Sequence, residues 1–171
     1  MSKTKQIAFL KLYEPVHERF ERFCRVRVYG DGDYRDLMHE TLLKAFEKFE
    51  TLRSEKAFLS FLFSIAIRIL SNQNRKRKVG RWDSDEEANR IIDCNADSSQ
   101  RLELTVFYEI LGKLPDDQRE SLILFEISGF SIREVAELQN SSESAVKQRL
   151  RRGRLKLKEL YSTKYLTIDS E

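Results

Sequence analysis

The sequence predicts an all-α protein made of two small helical domains joined by a flexible linker. Three observations lead there. Apolar residues recur at helical spacing in one stretch after another. The 171 residues include only two prolines and six glycines, which leaves room for long helices and argues against a turn-rich β fold. Between positions 79 and 99 the period lapses into acids and small polar residues, a composition that suits a tether. The length fits one domain or two small ones, and 40% hydrophobic residues suffice for a folded core. The expected boundaries are 1–80, a linker at 81–100, and 101–171.

The first helix is expected from about Glu14 to Val28, with Pro15 at a first helical position and Phe20, Phe23 and Val26 at helical spacing. Gly30-Asp-Gly-Asp ends it. A second helix follows from about Tyr34 to Phe49, with Leu37, Leu42, Ala45, Phe46 and Phe49 on its apolar side and Asp36, Glu40 and Lys44 on the other. Ser54 caps a third helix running to about Lys78. Its start, Phe58 to Leu70, is apolar nearly all round, the pattern of a central helix covered on several sides. Its end is polar and then basic: Arg75, Lys76, Arg77 and Lys78. A basic C-terminus also suits the helix dipole, so this cluster has a purely structural explanation beside a functional one.

After the linker, in which Ser84 and Glu87 have capping-box spacing, a helical pattern resumes from Leu102 to Leu111. Pro115 is expected at the first position of the next helix, with Asp116 and Asp117 in its first turn, and Gly129 is its expected C-cap. Ser131 followed by Glu134 is a second capping box. It opens a short helix with Val135 and Leu138 on one stripe. Gln139-Asn-Ser-Ser breaks that pattern: Asn140 tolerates a left-handed backbone and a serine N-caps the next helix.

On that last helix, at about 100° per residue, Val146, Leu150, Gly153 and Leu157 share one side. Ser144, Gln148, Arg151 and Arg152 share the opposite side, with Lys147 close by, and Arg149 and Arg154 lie on the flanks. From Lys147 to Lys158 there are seven basic residues and no acidic one. One face packs, the other offers donors, and both edges carry guanidinium groups. A helix in the DNA major groove needs this arrangement, because base edges lie under it and phosphates flank it. The plainer alternative is a solvated basic face, which leaves the accompanying helix-turn-helix punctuation unexplained.

Composition narrows the function classes. The formal net charge is only +3, so the cations matter as local blocks, separated by the acidic run Asp83-Ser-Asp-Glu-Glu. Cys24 and Cys94 have no metal-like spacing and form no disulfide framework. His17 and His39 are the only histidines, and Leu43 occupies the second histidine position that a zinc-protease motif at His39-Glu40 would require. Neither a phosphate-binding Gly-rich loop nor a nucleophile elbow is present, so no catalysis and no cofactor or metal are expected. The N-terminus lacks the apolar core of a signal peptide, and Phe58–Leu70 is too short to span a bilayer. A cytoplasmic protein without membrane insertion is expected.

Taken together, the chain resembles bacterial RNA polymerase sigma factors of the extracytoplasmic-function group, within the sigma-70 family. Leu114-Pro-Asp-Asp-Gln-Arg, Ser131-Ile-Arg-Glu-Val-Ala and Val146-Lys-Gln-Arg-Leu-Arg-Arg-Gly-Arg resemble region four, which reads the −35 element. Tyr34-Arg-Asp-Leu-Met-His-Glu-Thr and Phe58-Leu-Ser-Phe-Leu-Phe-Ser-Ile-Ala resemble region two, which binds polymerase and opens the −10 element. The chain departs from the usual pattern at Asn140 (often glycine), Ala145 (often threonine), His39 (often glutamine) and Phe61 (often tryptophan). It departs again at Ile67-Arg68, where an arginine–asparagine pair is frequent.

The resemblance implies two partners, core RNA polymerase and promoter DNA, and leaves room for a third, an anti-sigma factor. It implies a polymerase-facing surface at Asp36, Leu37, His39, Glu40 and Leu43. It implies capture of the unpaired −10 strand by the loop Thr51–Lys56 and the third helix, with Arg75, Lys76, Arg77 and Lys78 at its end. It implies −35 base contacts by Lys147, Gln148, Arg151 and Arg152, and phosphate contacts by Arg133, Ser144, Arg149 and Arg154. The rival reading is a stand-alone helix-turn-helix regulator whose first half senses a ligand or dimerises. A sensor needs a pocket of converging polar groups, whereas here an aromatic core runs into a basic helix end.

Overall fold

The computed structural model describes residues 3–30, 32–79 and 98–168. Of the linker expected at 81–100, residues 81–97 lie outside the described residues, as do the Ser84–Glu87 capping box and Cys94, and 98–100 are already helical. Among those described, every regular element is helical, as expected. The chain divides into two compact units, Met1–Arg25 with Asp33–Glu87, and Val26–Gly32 with Ala88–Glu171.

The first unit contains α1 (Lys3–Tyr13), α2 (His17–Arg27) up to Arg25, α3 (Tyr34–Glu47) and α4 (Phe58–Val79). Helix α1 was not anticipated. Ile7 and Leu10 are exposed and only Phe9 is buried, so its sequence carries no apolar stripe to betray it. Pro15, expected to begin a helix, sits instead in a 3₁₀ turn, Glu14–Val16, between α1 and α2. What secures α1 is one aromatic ring. Phe9 meets Phe46, Phe49 and Phe58 edge-on, with centroids 5.3 to 5.4 Å away, the geometry favoured by ring quadrupoles.

Helix α3 starts at Asp33, whose carboxylate accepts from Arg35 N–H at 2.9 Å. Leu37, Met38, Thr41 and Ala45 are its buried side, and it packs along α4. Helix α4 behaves as its pattern predicts. Phe58, Leu62, Phe63, Ala66, Ile69 and Leu70 are buried, and Phe63 lies 4.4 Å from the Phe23 ring. Beyond Leu70 the rod turns polar, and Ser71, Asn72, Gln73, Arg75 and Lys76 are exposed.

The second unit contains α5 (Ser98–Gly112), α6 (Asp116–Leu122), α7 (Ile132–Leu138) and α8 (Glu143–Ile168). Pro115 stands at the N-cap of α6, one position earlier than expected. The helix expected to run from Pro115 to a cap at Gly129 is not one α-helix: Ile123–Ile127 widens into a π-helical turn, closed by Ser128 N–H donating to Ile123 C=O at 2.8 Å. Gly129 follows with φ +73°, the left-handed backbone expected of it. Ile110, Leu111, Leu122, Ile123, Leu124, Phe130, Val135, Val146 and Leu150 form the core.

Candidate nucleic-acid interface

The site grows out of two local devices. At the start of α7, Ser131 Oγ accepts from Glu134 N–H, and the Glu134 carboxylate accepts from Ser131 N–H at 2.8 Å, the predicted capping box. At its end, Asn140 adopts φ +49° and Ser141 N–H reaches back to Ala136 C=O at 2.9 Å. Asn is one of the few residues that accepts this backbone at small cost. Ser142 then caps α8, its Oγ accepting from Ala145 N–H at 3.2 Å. These two ends create the sharp corner between α7 and α8.

The corner presses one side of α8 into the unit. Val146, Leu150 and Gly153 are buried. Ser144, Lys147, Gln148, Arg151 and Arg152 are exposed. The faces drawn from the periodicity are therefore the faces the fold uses. Lys147, Gln148, Arg151 and Arg152 have no ion-pair partner among the described residues, so this patch has uncompensated donors and positive charge facing water.

The flanks differ from expectation. Arg149 points into the scaffold rather than outward. Its Nη1 donates to Gln139 Oε1 at 2.9 Å and to Ser141 Oγ at 3.1 Å, and its Nε lies 3.3 Å from Asp117 Oδ2. A helical wheel placed it on an edge, but α6 and the turn supply acceptors within reach of that edge. Arg154 is held by Glu126, which accepts from Nε at 2.9 Å and also pairs with Nη2, while the guanidinium lies 5.8 Å from the Phe125 centroid. The π-helical turn sets the register of Phe125 and Glu126, a feature that periodicity did not announce. Arg133, also expected at phosphates, is 80% exposed and pairs loosely with Glu137 at 3.3 Å.

Deeper in the unit, burial raises the Glu120 carboxyl above its ordinary range. Glu120 accepts from Gln139 Nε2 at 3.0 Å. Gln139 Oε1 also accepts from Ser121 Oγ at 2.9 Å. The sequence reading missed this cluster entirely, because Gln139 looked like part of a helix-breaking turn.

In the first unit, Asp36 and His39 are exposed, Leu43 is 59% exposed, and Glu40 is half-exposed beside Lys44. Leu37, expected on the same surface, is only 3% exposed. It repeats with Thr41 and Ala45 and packs inward, where the apolar period of α3 had also put it. The turn before α4 exposes Thr51, Arg53, Ser54 and Lys56. At the other end of α4, Arg75 donates to Asn72 Oδ1 at 2.7 Å and Lys76 is exposed. The side chains of Arg77 and Lys78 lie outside the described residues. Cys24 is fully buried, and burial pushes its thiol far up, so it is a packing residue rather than a nucleophile. Among the described residues there is no cluster of His, Cys and acids able to hold a metal ion, and no helix long and apolar enough to cross a membrane.

Comparison with known proteins agrees with this geometry. Residues 6–79 match the model of sigma-70 region 2, and residues 104–157 match that of sigma-70 region 4. The first match leaves no support for a sensor domain in front of the helix-turn-helix. The chain is 33% identical over 140 residues to the ECF RNA polymerase sigma factor EcfG of Rhodopseudomonas palustris, covering 81% of this chain and 77% of that one. It is 26% identical over 153 residues to the ECF sigma factor SigX of Bacillus subtilis, covering 85% and 79%. Among solved structures, the sigma factor RpoE of Bartonella quintana, crystallised with the anti-sigma factor NepR, superposes with a TM-score of 0.72 at 26% identity, over 90% of this chain and 98% of that one. CnrH, in complex with the cytosolic domain of CnrY, gives 0.67 at 26% identity, over 92% and 90%. The chain belongs to the extracytoplasmic-function sigma factors of the sigma-70 family, and it is a transcription initiation factor that works with core RNA polymerase at promoters.

Proposed function

We propose that residues 1–80 dock on core polymerase and engage the −10 element, that 81–100 tether the halves, and that 101–171 read the −35 element. In the second half, Lys147, Gln148, Arg151 and Arg152 face base edges, while Arg133, Ser144 and Arg154 meet phosphates. The observation that carries this reading is the exposed cationic face of α8, opposite the buried stripe Val146–Leu150–Gly153. In the first half, Asp36, His39, Glu40 and Leu43 face the polymerase. The polar turn at Thr51–Lys56 and the basic end of α4, from Arg75 to Lys78, hold the −10 strand; such a strand calls for exposed cations beside a packed aromatic scaffold.

The protein contributes no reaction of its own: it supplies binding energy and position, and the polymerase supplies the chemistry. Its place is the cytoplasm, where polymerase and promoter meet. An anti-sigma factor belongs among its partners, a reading supported by the two similar sigma factors solved with anti-sigma proteins bound. Adding the purified chain to core polymerase tests the function directly. Stable co-purification and new promoter-dependent transcripts are expected; duplex DNA binding without polymerase association would point to a stand-alone regulator.

A further inference from the structure

Side chains from every part of the helix-turn-helix scaffold meet around the Gln139–Arg149 pair. Asp117, Glu120 and Ser121 come from α6, Gln139 closes α7, Ser141 lies in the turn, and Arg149 comes from α8. Gln139 uses both ends of its amide. Its Oε1 takes hydrogen bonds from Ser121 and Arg149, each at 2.9 Å, and its Nε2 gives one to Glu120 at 3.0 Å. Arg149 spends its donors on Gln139, Ser141 and Asp117. Gln148 and Arg151, one position before it and two after, are exposed.

This geometry bears on the angle at which α8 presents its outer face. Side-chain tips stand roughly 6 Å from a helix axis, so a rotation of about 20° carries them about 2 Å sideways. A hydrogen bond does not survive such a shift. The apolar stripe decides which side of α8 is buried, but its contacts are non-directional. Directional bonds from Arg149 to α6 and to the turn resist such a rotation well.

We infer that Gln139 is a positioning residue for promoter reading: it holds Arg149 against α6 and so sets the rotation of α8, and Arg149 orients the base-reading face instead of neutralising a phosphate. The inference rests on the proposed reading that Gln148, Arg151 and Arg152 face the −35 bases. It assigns a chemical requirement to position 139, which must accept from Arg149 and donate to Glu120 at once. A carboxylate there keeps the arginine but faces the buried Glu120 carboxylate across a hydrogen-bond distance. Exchanging the two groups restores the match, since an amide at position 120 then donates to the carboxylate at position 139.

The test uses holoenzyme, the full chain with core RNA polymerase, on promoters randomised over the −35 element at several salt concentrations. Gln139→Glu flattens base preference by about tenfold, the scale of one lost base contact, and leaves the salt slope unchanged. Adding Glu120→Gln brings the preference back. Arg149→Lys keeps the charge but not the fork of donors, so it too loses preference at constant salt slope, and it carries the test if Gln139→Glu does not assemble. Retained preference in Arg149→Lys, or no recovery in the double variant, overturns the inference. So does a salt slope lowered by about one in Arg149→Ala, the mark of a phosphate contact. Arg152→Ala separates the two claims. If it relaxes preference while the Gln139 and Arg149 variants do not, positioning fails alone; if none of them alters preference, the base-reading assignment fails.

Discussion

Gly153 lies directly against Leu122: a β-carbon on Gly153 would stand 2.7 Å from Leu122 Cδ1 and 3.3 Å from its Cγ. Helices α6 and α8 therefore cross at a point where α8 has room only for hydrogen. Gln118 Cβ, one turn along α6, would be 3.6 Å away, so the contact covers more than one residue.

Gly153→Ala should lower stability by about 1 kcal/mol, because overpacking outweighs the gain in helix propensity. Leu122→Ala should cost about 2–5 kcal/mol by opening a cavity. In that background the sign reverses, and Gly153→Ala becomes stabilising because the new methyl enters the space. Thermal melts of the four combinations check this. Additive effects would show that the two positions are not in contact.

Arg152→Ala should cost roughly 1–3 kcal/mol at one base pair of the −35 element and relax the preference there. Its neighbour positions in the element should keep their preferences. Promoter competition with holoenzyme reads this directly. An unchanged preferred sequence would move Arg152 off the bases.

Glu126→Ala removes the carboxylate that holds Arg154. It should raise affinity for all promoter sequences by about threefold, the scale of an exposed ion pair, with base preference intact. Unchanged affinity at low salt would mean that Arg154 stays away from phosphates even when released.

Asp36→Lys with Glu40→Lys should weaken assembly with core polymerase by roughly tenfold. The apolar side of α3 is untouched, so far-ultraviolet circular dichroism should not change. Leu37→Ala should do the opposite: it lowers the melting temperature, since Leu37 is buried, and it leaves polymerase affinity nearly unchanged in the molecules that remain folded.

The Ser131 capping box and the apolar periods were legible because they are local. Ser131 and Glu134 are three residues apart and satisfy each other's backbone groups, whatever packs around them. The left-handed Asn140, the left-handed Gly129 and the packed side of α8 follow from the same short-range rules. Helix α1 was illegible for the complementary reason. Its attachment comes from Phe9 meeting rings at positions 46, 49 and 58, and no window along the chain contains both sides of that contact.

By itself, then, the sequence determined the two regions, their order, the helix-turn-helix and which side of α8 faces out. Hydrogen bonds and apolar stripes within about one helical turn decide all of these. Only the tertiary structure decided what the edge cations pair with. A helical wheel reports the angle of a side chain about its own axis, and it is silent on what stands opposite. Arg149 and Arg154 have the same residue type and flank the same helix, yet one is drawn under by Gln139 and Asp117 and the other is clasped at the surface by Glu126. Their partners are acceptors that α6 and its π-helical turn bring from 28 to 32 positions away in sequence, because a guanidinium takes the nearest carboxylate that the fold supplies.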